Sequence, residues 1–90
     1  MPKILVVDDE VVIVKNGLLT DTSYSNIALF DGSQWVTPRQ PLLRGTMRQS
    51  LLDAGALVEM DIKAEDWDHY RQVSLINAMM PLGRLICNLR

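Results

Sequence analysis

Two glycine turns, Asn16-Gly17 and Asp31-Gly32, each sit between short apolar runs, and this punctuation commits the N-terminal half of the chain to β-hairpins. A tight hairpin loop needs backbone at φ > 0, which Asn, Asp and Gly adopt with little steric strain. Lys15-Asn16-Gly17 therefore joins a β-branched strand over residues 11–14 to a return strand over residues 18–20. Asp31-Gly32 likewise joins residues 27–30 to residues 34–37. Upstream, residues 4–7 form another apolar run, and Asp8-Asp9-Glu10 reads as an acidic break between it and the strand at 11–14. This half is a β-meander.

Proline has a fixed φ and no N–H, so Pro38 and Pro41 stiffen a loop and exclude regular structure there. Beyond it, Met47, Leu51 and Leu52 recur at helical spacing, which predicts a helix over residues 45–54 with Gly55 as its stop. Residues 56–62 alternate apolar and acidic side chains and read as a strand with one wet face. Residues 64–70 read as a short acidic helix carrying Trp67, and residues 73–76 as a buried strand ending at Asn77. Pro81 and Gly83 mark a turn before a last strand over residues 85–89. The fold class is α+β, an antiparallel or mixed sheet with two short helices, without internal repeats or low-complexity segments.

Composition narrows the function. With a net charge of −2 and nine basic residues scattered singly, no patch can neutralise a run of phosphates, so nucleic acid is not an expected partner. The apolar runs fall far short of the ~20 residues of a membrane helix. Lys3 and a short apolar run do not make the longer hydrophobic region of a signal peptide. A single cysteine, Cys87, cannot form an internal disulfide, which fits a reducing interior and a cytoplasmic location. Ninety residues bury a modest share of their surface, so oligomerisation is expected.

Three segments hold residues suited to chemistry. In Leu43-Arg44-Gly45-Thr46-Met47-Arg48 a glycine opens a helix, whose unpaired N–H groups on Thr46 and Met47 suit a phosphate. A helix that starts on a small residue and binds nothing fits the same pattern. In Thr20-Asp21-Thr22-Ser23-Tyr24-Ser25-Asn26-Ile27, Asp21 stands among hydroxyl and amide side chains, a place suited to holding a protonated ring nitrogen. A polar turn that satisfies its own backbone fits as well. In Leu75-Ile76-Asn77-Ala78-Met79-Met80-Pro81 an apolar strand ends on polar and thioether side chains, which serve ligand contact and core packing alike.

Taken in order, these segments resemble the class IV pyridoxal-phosphate enzymes. That family carries an acidic residue followed by a small residue and an Asn, then a hydrophobic strand, a Thr-Pro, and an aliphatic-x-Gly-x-x-Arg helix start. Asp21, Ser23, Asn26, Thr37-Pro38, Leu43, Gly45 and Arg48 match it. Asn77-Ala78-Met79-Met80-Pro81 is similar to the Asn-Ala-hydrophobic-Met-Pro stretch of 4-amino-4-deoxychorismate lyases, rather than to the Gly-Thr-Ala of the aminotransferases. The resemblance covers residues 17–81.

What the resemblance implies is a C-terminal cofactor domain binding pyridoxal phosphate. Asp21 stands where the family pairs a carboxylate with the pyridine nitrogen, Thr46 and Met47 where backbone amides meet the phosphate, and Asn77 with Ala78 on the phosphate or substrate-carboxylate side. The implied reaction turns a small-molecule substrate, 4-amino-4-deoxychorismate, into 4-aminobenzoate and pyruvate, a step toward folate. A class IV aminotransferase fragment and a non-catalytic folded or engineered module are the alternatives. Asp21 replaces the more usual Glu, Met47 lacks a hydroxyl many relatives offer, and Ala28 and Trp35 depart from the aromatic and aliphatic of the pattern.

The family's covalent lysine lies upstream of the first hairpin, and Lys3, Lys15 and Lys63, the only lysines, lack its context. No catalytic residue is therefore assigned, and the chain is expected to be inactive alone. Residues 1–10 read as an atypical N-terminal strand and residues 11–90 as the cofactor domain, truncated relative to the family, with self-association expected through the face left by the missing domain. Lys3-Ile4-Leu5-Val6-Val7-Asp8-Asp9-Glu10 resembles the first strand of a response-regulator receiver domain, but no later acceptor aspartate, threonine or lysine follows; Asp8-Asp9 also fits the acidic loop ahead of the class IV hairpin. His69 lacks partners at metal-ligand spacing, Cys87 reads as inert core, and no metal site is expected.

Overall fold

A computed structural model describes residues 5–80, 82–83 and 86–88 of the chain. It opens with two small hairpins: β1 (Val6–Val7) pairs with β2 (Glu10–Val11), and β3 (Val14–Lys15) with β4 (Leu18–Leu19). Asn16 and Gly17 take φ of 55° and 77°, the loop that the sequence predicts. Asp8 and Asp9 do the same at 48° and 66°. The acidic triplet is thus a hairpin loop and its return strand, not a break, because a short carboxylate side chain tolerates the left-handed region.

The remaining strands form one mixed sheet. β5 (Asn26–Phe30) pairs antiparallel with β6 (Trp35–Pro38) across a loop in which Asp31 Oδ1 accepts the N–H groups of Ser33 and Gln34 at 2.8 and 2.9 Å. The Gln34 and Ser33 amides hold the Asp31 carboxyl below the usual carboxylate range. β7 (Val58–Met60) runs parallel to β6, β8 (Gln72–Ile76) antiparallel to β5, and β9 (Ile86–Asn88) antiparallel to β8. The order is β7-β6-β5-β8-β9. Pro38 lies inside β6 as its last residue, which corrects the expectation that it excludes regular structure; proline is tolerated where the ladder does not need its N–H.

Side chains alternate across this sheet. Ile27, Leu29, Val36, Val73 and Leu75 pack on one face with Val7, Val12, Leu19, Ile62 and Trp67, so the hairpins and the 3₁₀ helix Ala64–His69 cover that side. On the opposite face, α1 (Thr46–Asp53) lays Met47, Leu51 and Leu52 against Ala28, Leu57 and Ile76. The small Ala28, fully buried, lets the helix come close. Each such buried aliphatic side chain contributes ~1.5–3 kcal/mol. Gly55 follows α1 at φ 78°, the left-handed stop. The acidic segment after β7 winds as 3₁₀ rather than α, its one buried residue being Trp67. The last strand is described over Ile86–Asn88; Leu85 and Leu89 lie outside the described residues, as do Lys3, Ile4 and Pro81.

Candidate functional site

The helix-bearing face of the sheet carries the site. Between the end of β4 and the start of β5 the chain makes a polar turn, in which Thr22 N–H donates to Ser25 O at 2.9 Å and Ser25 N–H donates to Thr22 Oγ1 at 2.9 Å. Thr22 Oγ1 also donates to Glu10, tying the turn to the first hairpin. The Thr22 hydroxyl therefore does satisfy local backbone. Asp21 does not fit that description. It is 1% exposed, its Oδ2 accepts the Leu43 N–H at 3.0 Å, and its Oδ1 is buried with no partner among the described residues.

The turn and the start of α1 are locked together. Asn26 Nδ2 donates to the Leu43 carbonyl at 2.7 Å, so Leu43 is held at its N–H by Asp21 and at its C=O by Asn26. Leu43 itself is 67% exposed. Two residues on, Gly45 caps α1 without a side-chain hydrogen bond, and the first turn contains no acidic residue. The amides at this helix start are left without a protein cap, at its electropositive end. Across from them, Asn77 Nδ2 donates to Ser25 Oγ at 3.2 Å, and its Oδ1 accepts the Met79 N–H at 2.9 Å in a tight turn closed by Asn77 and Met80.

A cleft of about 290 Å³ opens between these three segments. Thr46, Asn77 and Ala78 line it, as do Leu43 and Gly45, so the separate candidate segments meet in space. Asp21 is not a wall of the cleft but lies behind Leu43, and the Met47 side chain turns into the core under α1. Thr22, Tyr24, Ser25 and Asn26 also line it, none of them assigned a role in the site from sequence. The signal was present in Asn26, which the motif contains; that it reaches Leu43 depends on a contact 17 residues away in sequence.

Arg48, the last motif residue, faces away from the cleft. It is 1% exposed, and its Nη2 donates to Pro38 O at 3.0 Å and to Glu59 Oε2 at 2.6 Å, clasping α1 to β6 and β7. Thr37 Oγ1 donates to Ile27 O at 2.7 Å, fastening β6 to β5 just before Pro38. Lys15 and Lys63 are exposed and border hollows elsewhere, not this cleft. Cys87 is half-buried against the main core, the largely exposed His69 lies 3.6 Å from Asp66, and no metal-ligand cluster occurs among the described residues. No helix among them is long and apolar enough to cross a membrane.

The fold thus gathers an uncapped helix start and, behind Leu43, a half-satisfied buried carboxylate at one cleft of a small α+β domain. Comparison with known proteins gives the family. The family model for amino-transferase class IV matches residues 6–85, and the chain belongs to that family, whose members depend on pyridoxal phosphate. The match begins at Val6 and so takes in the first hairpin. A crystal structure of a candidate 4-amino-4-deoxychorismate lyase from Haemophilus somnus 129pt superposes with a TM-score of 0.79 at 40% identity, covering 82% of this chain and 38% of that one. An uncharacterized protein of Haemophilus influenzae is 44% identical over 71 residues, 79% of this chain and 38% of the relative. A candidate aminodeoxychorismate lyase of Schizosaccharomyces pombe is 34% identical over 67 residues, 69% of this chain and 29% of the relative. The chain thus spans well under half the length of these proteins.

Proposed function

We propose that this chain is the pyridoxal-phosphate-binding part of a 4-amino-4-deoxychorismate lyase, acting on a small carboxylated substrate in the folate pathway of the cytoplasm. The observation that carries the reading is Asp21. A buried carboxylate oxygen without a partner among the described residues is costly unless something supplies a proton donor. A protonated pyridine nitrogen is such a donor, and Asp21 Oδ1, held behind Leu43, would hold the proton where Leu43 gives way to the ring. The residues fit the group: the uncapped amides of Thr46 and Met47 suit its phosphate, and the exposed Leu43 offers an apolar surface beside the carboxylate.

Bound there, the cofactor supplies an electron-withdrawing ring that takes up the charge left when a bond at the substrate is broken. The chain's own contribution is to bind and orient. Asn77, pinned to Ser25, and Ala78 face the helix start across the cleft, where they would meet the phosphate or a substrate carboxylate. Neither Lys15 nor Lys63 is placed to attach the cofactor. Self-association is proposed through the exposed apolar rim of Leu42, Leu43 and Met79, which are 54%, 67% and 82% exposed.

Titration with pyridoxal phosphate followed by borohydride reduction tests the reading. Saturable binding with Lys15 and Lys63 unmodified is expected. Specific trapping at either lysine, or binding that never saturates, contradicts it.

A further inference from the structure

Asn26 is a motif residue that lines the cleft but contacts no part of the cofactor in the reading above. It is 5% exposed, starts β5 opposite Ile76, and points to the same sheet face as α1. Its Nδ2 holds the Leu43 carbonyl at 2.7 Å. Its Oδ1 lies 2.4 Å from where a Cβ on Gly45 would stand, nearer than real Cβ contacts allow. Gly45 has an ordinary extended φ of −68°, so glycine is not required there by backbone conformation. A Cβ there would instead have to displace the Asn26 carboxamide.

We propose that Asn26 is a positioning residue that sets the phosphate cradle: its carboxamide fixes where the chain enters α1, with Gly45 kept bare so that it can. The role rests on the cofactor reading above. Leu43 is gripped at its carbonyl by Asn26 and at its amide by Asp21, and the amides of Thr46 and Met47 follow within a turn. The direction of those amides is therefore inherited from a side chain on β5. Because Ile76, opposite Asn26, precedes Asn77, the same strand pair also sets the far wall of the cleft. A side chain that orients donors, rather than donating itself, changes selectivity for the phosphate more than general affinity.

The test uses the chain with Asn26→Ala, Gly45→Ala and the double variant, and compares pyridoxal phosphate with pyridoxal, which lacks the phosphate. The wild type should prefer the phosphate ester, and Asn26→Ala should lower that preference about tenfold, as loss of one hydrogen bond allows. Amide exchange at Leu43, whose N–H Asp21 holds, should rise about tenfold without ligand as the segment loosens at its freed carbonyl, a readout independent of binding. Gly45→Ala alone should displace Asn26 and give the same loss, whereas adding it to Asn26→Ala should cost nothing further, since the clash has gone. Equal weakening for both ligands in Asn26→Ala, or additive losses in the double variant, overturns the positioning role. A wild-type chain with no preference for the phosphate ester overturns the cofactor reading and the role with it; unchanged Leu43 exchange with that preference intact overturns the role alone.

Discussion

Arg48→Ala is predicted to be among the most damaging single changes in the chain. The side chain is 1% exposed at Arg48, but its partner Glu59 is 39% exposed, so the pair has one dry end and one wet end. The wet end keeps the ion pair itself near the surface value of ~0.5–1 kcal/mol. Truncation also removes two buried stem methylenes, Cγ and Cδ, at ~0.8 kcal/mol each. The Pro38 carbonyl loses its guanidinium donor, another ~1 kcal/mol. Against this stands relief at Arg48 Nε, which is buried without a partner among the described residues and whose removal returns ~1 kcal/mol. The net cost is about 2 kcal/mol, compared with a total stability of roughly 5–13 kcal/mol for a domain of this length. Equilibrium unfolding in urea, followed by fluorescence of the buried Trp67, measures it. Arg48→Met keeps the stem volume and should cost only ~1 kcal/mol. An Arg48→Ala chain within ~1 kcal/mol of wild type, or an Arg48→Met chain as unstable as Arg48→Ala, would refute the clasp.

Other outcomes follow from the same contacts. Thr37→Val, which leaves the buried Ile27 carbonyl without the Thr37 hydroxyl, should cost ~1–2 kcal/mol in the urea midpoint while leaving the fold intact. Gly55→Ala, at φ 78°, should destabilise by ~1 kcal/mol, whereas Ala54→Gly, with its ordinary helical backbone, should cost less than that. Burial first, then the charges of Asp66 and Asp31, raise the Tyr70 phenol above its ordinary value. A raised acid binds its proton more tightly when folded, so this stabilisation is full below the unfolded value of about 10 and lost as pH rises through the folded one. Tyr70→Phe should accordingly flatten the alkaline fall in stability. Sedimentation should find the chain self-associated, and Leu42→Lys with Leu43→Lys should return it to monomer; a wild-type monomer contradicts the apolar rim as a contact.

The fold was legible wherever short-range chemistry decides it. Asn16-Gly17, Asp31-Gly32 and Gly55 each marked a turn or stop whose backbone only a few residues accept, and the short, mostly apolar runs at residues 27–30 and 73–76 gave the central strands. Asp8-Asp9 was misread because acidic pairs signal solvent, and only the pairing of Val7 with Glu10 makes them a hairpin loop. Pro38 was misread because its tolerance depends on which neighbour strand needs its N–H, a tertiary fact. In the site, the segments were legible as an ordered motif, and Thr46, Asn77 and Ala78 do share one cleft. What the sequence could not give was direction. Met47 turns to the core, Arg48 serves the sheet, and Asp21 stands behind Leu43 rather than on the cleft wall.

Thermal unfolding with and without pyridoxal phosphate, in the wild type and in Asp21→Asn, bears most directly on the cofactor reading. Asparagine preserves the acceptor for the Leu43 N–H but removes the charge at the unpartnered oxygen. At a hundred times its dissociation constant the cofactor should stabilise the wild type by ~2.7 kcal/mol, raising the melting temperature by on the order of 10–20 °C for a domain of this size. In Asp21→Asn that rise should shrink by more than half while the ligand-free chain melts no lower. No rise in the wild type, or the same rise in both chains, contradicts Asp21 as the partner of the cofactor ring.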